Sequence, residues 1–217
     1  MHQDYCAEFV AELDDIPDEQ EAGPRIVKHL LEGKRGHYGP LEHPQITFNV
    51  GFFPHSVMQQ ARTHRVGISF DVQSFRYTSD RIIAAANGYL SVDEVFYLRP
   101  AGRYVDRQGH GADYTERHRD RDFAVCRMAA LRYKELIAEG FAEEQARGIL
   151  PFDYRQHFVV SFNCRSLMHF LDLRAKADAQ LEIRHLCDML LPKFRLWMPA
   201  VAKWYEQDRL GKALLAP

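Results

Sequence analysis

Apolar and polar positions along this chain follow two different periods, and the changes of period mark its elements. From Pro24, the residues Ile26, Val27, His29, Leu30 and Leu31 lie on a helical pattern that Gly33 ends. A breaker-rich stretch (GKRGHYGPLEHP, 33–44) separates it from Ile46, Phe48 and Val50, which alternate with Thr47 and Asn49 as in a strand with one buried face. A helix is predicted from about Pro54 to Arg62, and the period then disappears over 62–79, which reads as loop. Ile82–Ala86 is a short element, Val92–Leu98 a strand, and 99–113 a long Gly- and Pro-containing loop of the kind that can cover a site. Residues 114–139 form a helix with Phe123, Val125, Cys126, Met128, Leu131, Leu136 and Ile137 on its apolar side and Gly140 as its stop. A short helix over 141–150, a strand over 157–162, a long helical pattern over 165–190 and a last helix over 192–207 complete the chain. Near the start, Phe9, Val10 and Leu13 are at helical spacing over 4–14, which reads as a short helix or a frayed arm. This order predicts an α/β (α+β) domain, a mixed sheet flanked by helices with a long C-terminal helix.

Charge divides the chain unevenly. Residues 1–22 hold eight acidic groups and no Lys or Arg, whereas the rest carries 28 Lys+Arg against 22 Asp+Glu, a net +6. The expected organisation is therefore an acidic N-terminal segment, 1–23, ahead of one domain, 24–217. A net +6 spread over so many residues lacks the basic stripe of a nucleic-acid binder. No apolar run reaches the roughly 20 residues of a membrane span, and the acidic start is unlike a signal peptide, so a cytoplasmic protein is expected. The four cysteines, Cys6, Cys126, Cys164 and Cys187, are far apart with no C-x-x-C, and the 11 histidines show no ligand spacing, so no metal is expected. Rossmann, P-loop and nucleophile-elbow motifs are absent.

Two clusters carry possible chemistry. Arg62, His64 and Arg65, with Ser74 and Arg76 downstream, offer forked donors that suit a phosphate, or equally a solvated charged helix end. Asn163 leads the second, in which Arg165, His169 and Asp172 fall on one helical face, and Arg174 and Asp178 would be an i,i+4 pair on another. A buried cation there needs a partner, which is either an anionic ligand or a salt bridge to Asp172, Asp178 or Glu182.

Together these clusters resemble the flavin-dependent thymidylate synthase family. Its signature is an Arg-His-Arg triplet, seven residues, a serine and then Arg-Tyr; RTHRVGISFDVQSFRY (62–77) is similar, with one extra residue between Arg62 and His64 and eight residues between Arg65 and Ser74. NCRSLMHFLDLRAKADAQLEIR (163–184) is similar to the family's C-terminal motif, HYGPLEH (37–43) to its first flavin loop, and Arg147 in ARGILP matches a further position. The resemblance implies FAD against His37, Gly39, Glu42, Arg62, His64, Arg65, Asn163, Arg165 and His169. It implies dUMP against Gln59 or Gln60, Arg62, Gln73, Ser74, Arg76, Arg147 and Arg174, the last as the catalytic residue at the uracil ring. The implied activity is reductive methylation of dUMP to dTMP, with methylenetetrahydrofolate as carbon donor and NADPH as reductant, by a homotetramer. Two alternatives stay open: a sister enzyme that methylates or hydroxymethylates another pyrimidine nucleotide, and a non-catalytic flavin- or nucleotide-binding protein of the same fold. Val72, where many relatives carry Glu, favours the latter.

Overall fold

The computed structural model describes residues 18–106 and 108–212, apart from the side chains of Glu19 and Lys34. The helical pattern over 4–14, Cys6 and most of the acidic segment lie outside the described residues. The chain divides into two compact units: unit 1 comprises 1–48, 61–70 and 160–217, and unit 2 comprises 49–60 and 71–159. Three strands contribute to both, β1 (Gln45–Pro54), β2 (Ile68–Val72) and β5 (Arg155–Asn163), in the sheet order β1-β5-β2. Side chains of β1 and β5 meet at Thr47 and Ser161 in unit 1 (Oγ1 to Oγ 2.8 Å) and at Asn49 and His157 in unit 2 (Oδ1 to Nε2 3.1 Å).

Unit 1 begins with α1 (Glu19–Ile26), where Asp18 caps the helix by accepting from the Glu21 N–H at 3.0 Å. The helix therefore starts a turn earlier than Pro24 suggests, and Pro24 lies inside it. The missing proline donor is followed by a π turn, Val27–Leu31, and Gly33 ends the run in the left-handed region at φ 66°. The pattern over 165–190 is interrupted: α7 (Cys164–Arg174) and α8 (Leu181–Trp197) are separate helices, and α9 (Pro199–Asp208) follows. There is thus no single long C-terminal helix, and Asp178 lies beyond the end of α7. The unit's core is built from Leu167, Met168, Phe170 and Leu171 of α7, Ile183, Cys187 and Phe194 of α8, and Val201 and Tyr205 of α9, all fully buried. Each large apolar side chain of this kind contributes about 1.5–3 kcal/mol.

Unit 2 holds α3 (Asp80–Ala86), α4 (Val92–Val95), α5 (Glu116–Ala138) and α6 (Glu143–Ala146); α2 (His55–Ala61) begins there. Its core joins Phe75, Ile82, Val92, Phe96, Cys126, Ala130 and Tyr133. Four sequence readings change here. The 62–79 loop contains β2. Val92–Val95 is a helical turn instead of a strand, because Ser91 and Glu94 form a capping box (Ser91 N–H to Glu94 Oε2 2.9 Å). The 99–113 loop is a hairpin, β3 (Gly102–Val105) against β4 (Gly111–Tyr114), whose turn Asp106 organises by accepting from the N–H groups of Gln108 (2.9 Å) and His110 (2.8 Å). On α5, Val125, Met128 and Leu131 point outward (54, 61 and 38% exposed) instead of joining the core.

Candidate functional site

The site is assembled in unit 1 around the start of α7. Asn163 ends β5 and caps α7, its Oδ1 accepting from the Ser166 N–H at 2.8 Å. Two loops are tied to this helix start. Cys164 N–H donates to Pro44 O (3.1 Å) on one side; Asn163 N–H donates to Gly67 O (3.0 Å) and Ser166 Oγ to Val66 O (2.6 Å) on the other. Gly67 is required twice over: its φ is +66°, and a Cβ there would collide with Ser166 Oγ and Asn163 Nδ2.

A cleft of about 560 Å³ opens between these segments, within the range of small-molecule sites. Its walls include Glu42, Thr63, His64, Arg65, Asn163, Arg165, Ser166, His169 and Arg174. Residues 165, 169 and 173 follow helical spacing along one side of α7, so Arg165, His169 and Leu173 all line it. Arg165 NH1 meets Glu42 Oε1 at 2.5 Å, and its guanidinium lies over the Tyr38 ring (5.9 Å to the centroid).

The deeper wall is a histidine–arginine arrangement. His64 is 7% exposed, its ring packed edge-on against His169 (5.5 Å) and Phe170 (5.0 Å). Arg174 Nε donates to His64 Nε2 at 2.9 Å and Arg174 NH2 donates to Thr63 Oγ1 at 2.9 Å. Accepting at Nε2 requires an unprotonated nitrogen there, and burial, followed by the charges of Arg174 and His169, lowers the His64 pKa to about 4. Burial also lowers the Arg174 pKa. His169 Nδ1 is buried and has no hydrogen-bond partner among the described residues. His169 also lines the cleft, and a cation-lined cleft with an orphaned imidazole nitrogen in its wall suits a ligand that offers polar and anionic groups, as a flavin cofactor does.

Of the residues assigned to FAD by resemblance, Glu42, His64, Arg65, Asn163, Arg165 and His169 line this cleft; His37, Gly39 and Arg62 belong to the same unit but are not part of its lining. Of those assigned to dUMP, Arg62 and Arg174 are in unit 1, and Gln59, Gln60, Gln73, Ser74, Arg76 and Arg147 in unit 2. Within unit 2, Arg76 pairs with Glu144 (3.1 Å), three residues before Arg147, and Gln73 Oε1 accepts from Arg81 at 3.2 Å.

Asp172 is a correction of partner: its carboxylate meets Arg209 Nε of the C-terminal region (3.0 Å) and Tyr205 OH (3.0 Å), while Arg165 pairs with Glu42. Arg209 NH1 in turn donates to Tyr38 OH at 2.9 Å. Neither Arg209 nor Arg81 carried a motif signal; Arg209 follows the last helix and Arg81 sits in an ordinary short one. Cys126, Cys164 and Cys187 are free and buried, and burial raises the Cys164 and Cys187 pKa values to about 12, which leaves them inert thiols. Among the described residues no cluster of three or more His, Cys, Asp or Glu could hold a metal, and no helix is long and apolar enough to cross a membrane.

Comparison with known proteins agrees with this frame. The family model described as thymidylate synthase complementing protein, Thy1, matches residues 1–200. The flavin-dependent thymidylate synthase of Halobacterium salinarum is 40% identical over 199 residues (88% of this chain, 79% of that one). That of Haloarcula marismortui is 36% identical over 204 residues (91% and 81%). Two structures of a UMP/dUMP methylase, PolB from Streptomyces cacaoi, bound with 5-Br UMP and 5-Br dUMP, share the fold with TM-scores of 0.65 and 0.69. Their sequence identities are 23 and 24%, over 90 and 91% of this chain and 85% of theirs. With the family model spanning nearly the whole sequence, the chain belongs to the Thy1 family of flavin-dependent thymidylate synthases.

Proposed function

We propose that this protein is an FAD-dependent thymidylate synthase that converts dUMP to dTMP, taking its one-carbon unit from methylenetetrahydrofolate and its reducing equivalents from NADPH. The observation that carries the reading is the cleft of unit 1, where Arg65, Arg165 and Arg174 accompany a buried, unpartnered His169 Nδ1. In this reading Arg65, Asn163, Arg165 and His169 hold FAD, with His37, Gly39, Glu42, Arg62 and His64 completing its surroundings. When bound, the flavin supplies the hydride chemistry that no side chain can.

The chain's own contribution is orientation and charge. Arg174 donates to two uncharged acceptors, His64 Nε2 and Thr63 Oγ1, and those bonds fix its direction. A fixed guanidinium beside the uracil ring stabilises negative charge as it develops there in the transition state. Gln59 or Gln60, Arg62, Gln73, Ser74, Arg76 and Arg147 bind the rest of dUMP. The outward-facing Val125, Met128 and Leu131 on α5 support assembly as a homotetramer.

The test is an assay of dUMP and UMP as substrates with FAD, NADPH and methylenetetrahydrofolate each omitted in turn. The purified protein should be yellow and form dTMP only in the full mixture. Colourless protein that FAD does not restore, or a bound nucleotide with no C5 methylation, would sink the reading.

A further inference from the structure

Unit 2 contains a chain of hydrogen bonds whose polarity is fixed at one end by the backbone and ends on a side chain of the proposed nucleotide set. Gln156, 3% exposed, donates both of its amide protons to main-chain oxygens, Gln73 O at 3.0 Å and His157 O at 3.2 Å. Turning the amide over would set its oxygen against two carbonyls, so the orientation has one solution. Gln156 Oε1 is left as an acceptor toward His55 Nδ1 at 3.3 Å. In a neutral ring the single proton then sits on Nδ1, and Nε2 is an acceptor. Gln59 meets that nitrogen through Nε2 at 2.7 Å and therefore donates. The His55 ring is held in place by stacking on Tyr154 (4.8 Å between centroids) and edge contact with Phe152 (5.2 Å), and the backbone N–H of His55 donates to Tyr154 O (3.0 Å).

We infer that His55 and Gln156 are positioning residues that lock the Gln59 amide with its carbonyl oxygen turned to accept from a ribose hydroxyl or a pyrimidine N–H of the nucleoside. The inference rests on the proposed dUMP reading for its ligand, and on the geometry alone for the relay. Phosphate oxygens only accept, so the Gln59 oxygen itself can bond only to a donor group of the sugar or the base. The same Gln156 amide binds Gln73 O, so one buried side chain orients Gln59 and anchors the backbone just before Ser74 and Arg76.

The experiment uses the full-length, FAD-loaded protein labelled with 15N-histidine. Long-range 15N–1H spectra, with the His55 signal assigned by its loss in His55→Phe, should show a neutral ring protonated on Nδ1. Titration with dUMP and with deoxyuridine should give affinities weakened by about tenfold in Gln59→Leu and His55→Phe, with the double variant no weaker than either, because one hydrogen bond is lost in each case. A far-UV circular dichroism spectrum and a urea unfolding midpoint close to those of wild type report that the variants fold. A ring protonated on Nε2, a His55→Phe affinity within twofold of wild type while Gln59→Leu is weakened, or a loss seen with dUMP but not with deoxyuridine would each overturn the inference. Wild-type protein that binds neither nucleotide would instead overturn the proposed substrate, and the ligand half of this inference with it, while the His55 tautomer would still report on the relay.

Discussion

Two sides of α7 use the same kinds of residue to opposite ends. Away from the cleft, Asp172 is met by Arg209 and Tyr205, and Arg209 by Tyr38, so that an ion pair with side chains only 5 and 9% exposed has its hydrogen bonds supplied from within the chain. Burial still raises the Asp172 pKa, despite the opposing pull of Arg209. On the side that lines the cleft, His169 Nδ1 has no hydrogen-bond partner among the described residues, and Arg174 donates to the neutral His64 and Thr63. A network that closes on itself spends its polarity on the fold; one that stops at an open valence keeps it for a ligand. Charge and burial alone do not separate the two, since both sides carry arginine and both are partly or wholly buried.

Removing an arginine from each side should break the comparison in opposite ways. Arg174→Ala is expected to lower dTMP formation by roughly 10³-fold, in line with loss of a charge-stabilising donor, with flavin absorbance retained and the unfolding midpoint nearly unchanged. An unchanged rate would take Arg174 out of the chemistry. Arg209→Leu should do the reverse: it strands the Asp172 carboxylate in the core and costs about 3–5 kcal/mol in urea unfolding. The double change Asp172→Leu with Arg209→Leu should regain most of that loss, because no unpaired charge remains. If Arg209→Leu is as stable as wild type, the network is not the closed structural device described.

A third variant bears on how the open side is built. Gly67→Ala adds a methyl group where Ser166 Oγ and Asn163 Nδ2 already sit, at a backbone angle that disfavours any side chain. It should cost about 2–3 kcal/mol and weaken FAD retention together, measured by unfolding and by flavin content after gel filtration. Retained flavin at full stability would mean that the loop accommodates the methyl and that this junction does not define the cleft.

Much of the open side was legible in the sequence, for a physical reason. Apart from Glu42, its residues lie in two short stretches, 63–66 and 163–174, where chemistry sets the spacing, and His64, Arg65, Asn163, Arg165 and His169 need no knowledge of the fold to stand out. The closed side was not legible. The sequence offers Asp172, like Asp178 and Glu182, as a local partner for a cation of the same segment, whereas its partner, Arg209, comes from beyond α9, and nothing local in sequence announces a contact 37 residues away. Strand pairing failed in the same manner: β2 is short and sits inside a charged segment, so its period never emerges. By contrast, the α4 turn and the 106–110 turn had local signals, Ser91-x-x-Glu94 and Asp106 with Gly109, that outweigh the apolar character of 92–98 and the length of 99–113. The break after Arg174 lies between these cases, since the AKADAQ stretch that follows is helix-permissive by composition yet lies outside both α7 and α8.

The smallest expected effect is also the most specific to the open side. His64 titrates near 4 in the folded protein and near 6.5 when unfolded, so between those values the unfolded chain binds more protons and stability falls as pH falls. Asp172 works the other way: its raised value means the native state takes up the extra proton, and its contribution grows as pH falls. Total stability therefore mixes two opposite slopes, and the His64 part has to be read as a difference. His64→Gln keeps a neutral acceptor without titrating, so the stability of wild type minus that of the variant should decline steadily from pH 6.5 to about pH 4 and level off below. Over the same window protonation at Nε2 takes away the acceptor of Arg174 Nε, so wild-type activity should fall toward pH 4 more steeply than that of His64→Gln. A stability difference that stays flat from pH 7 to 4 would show that His64 is not held neutral by its burial beside Arg174, and the distinction between the two sides of α7 would then rest on His169 alone.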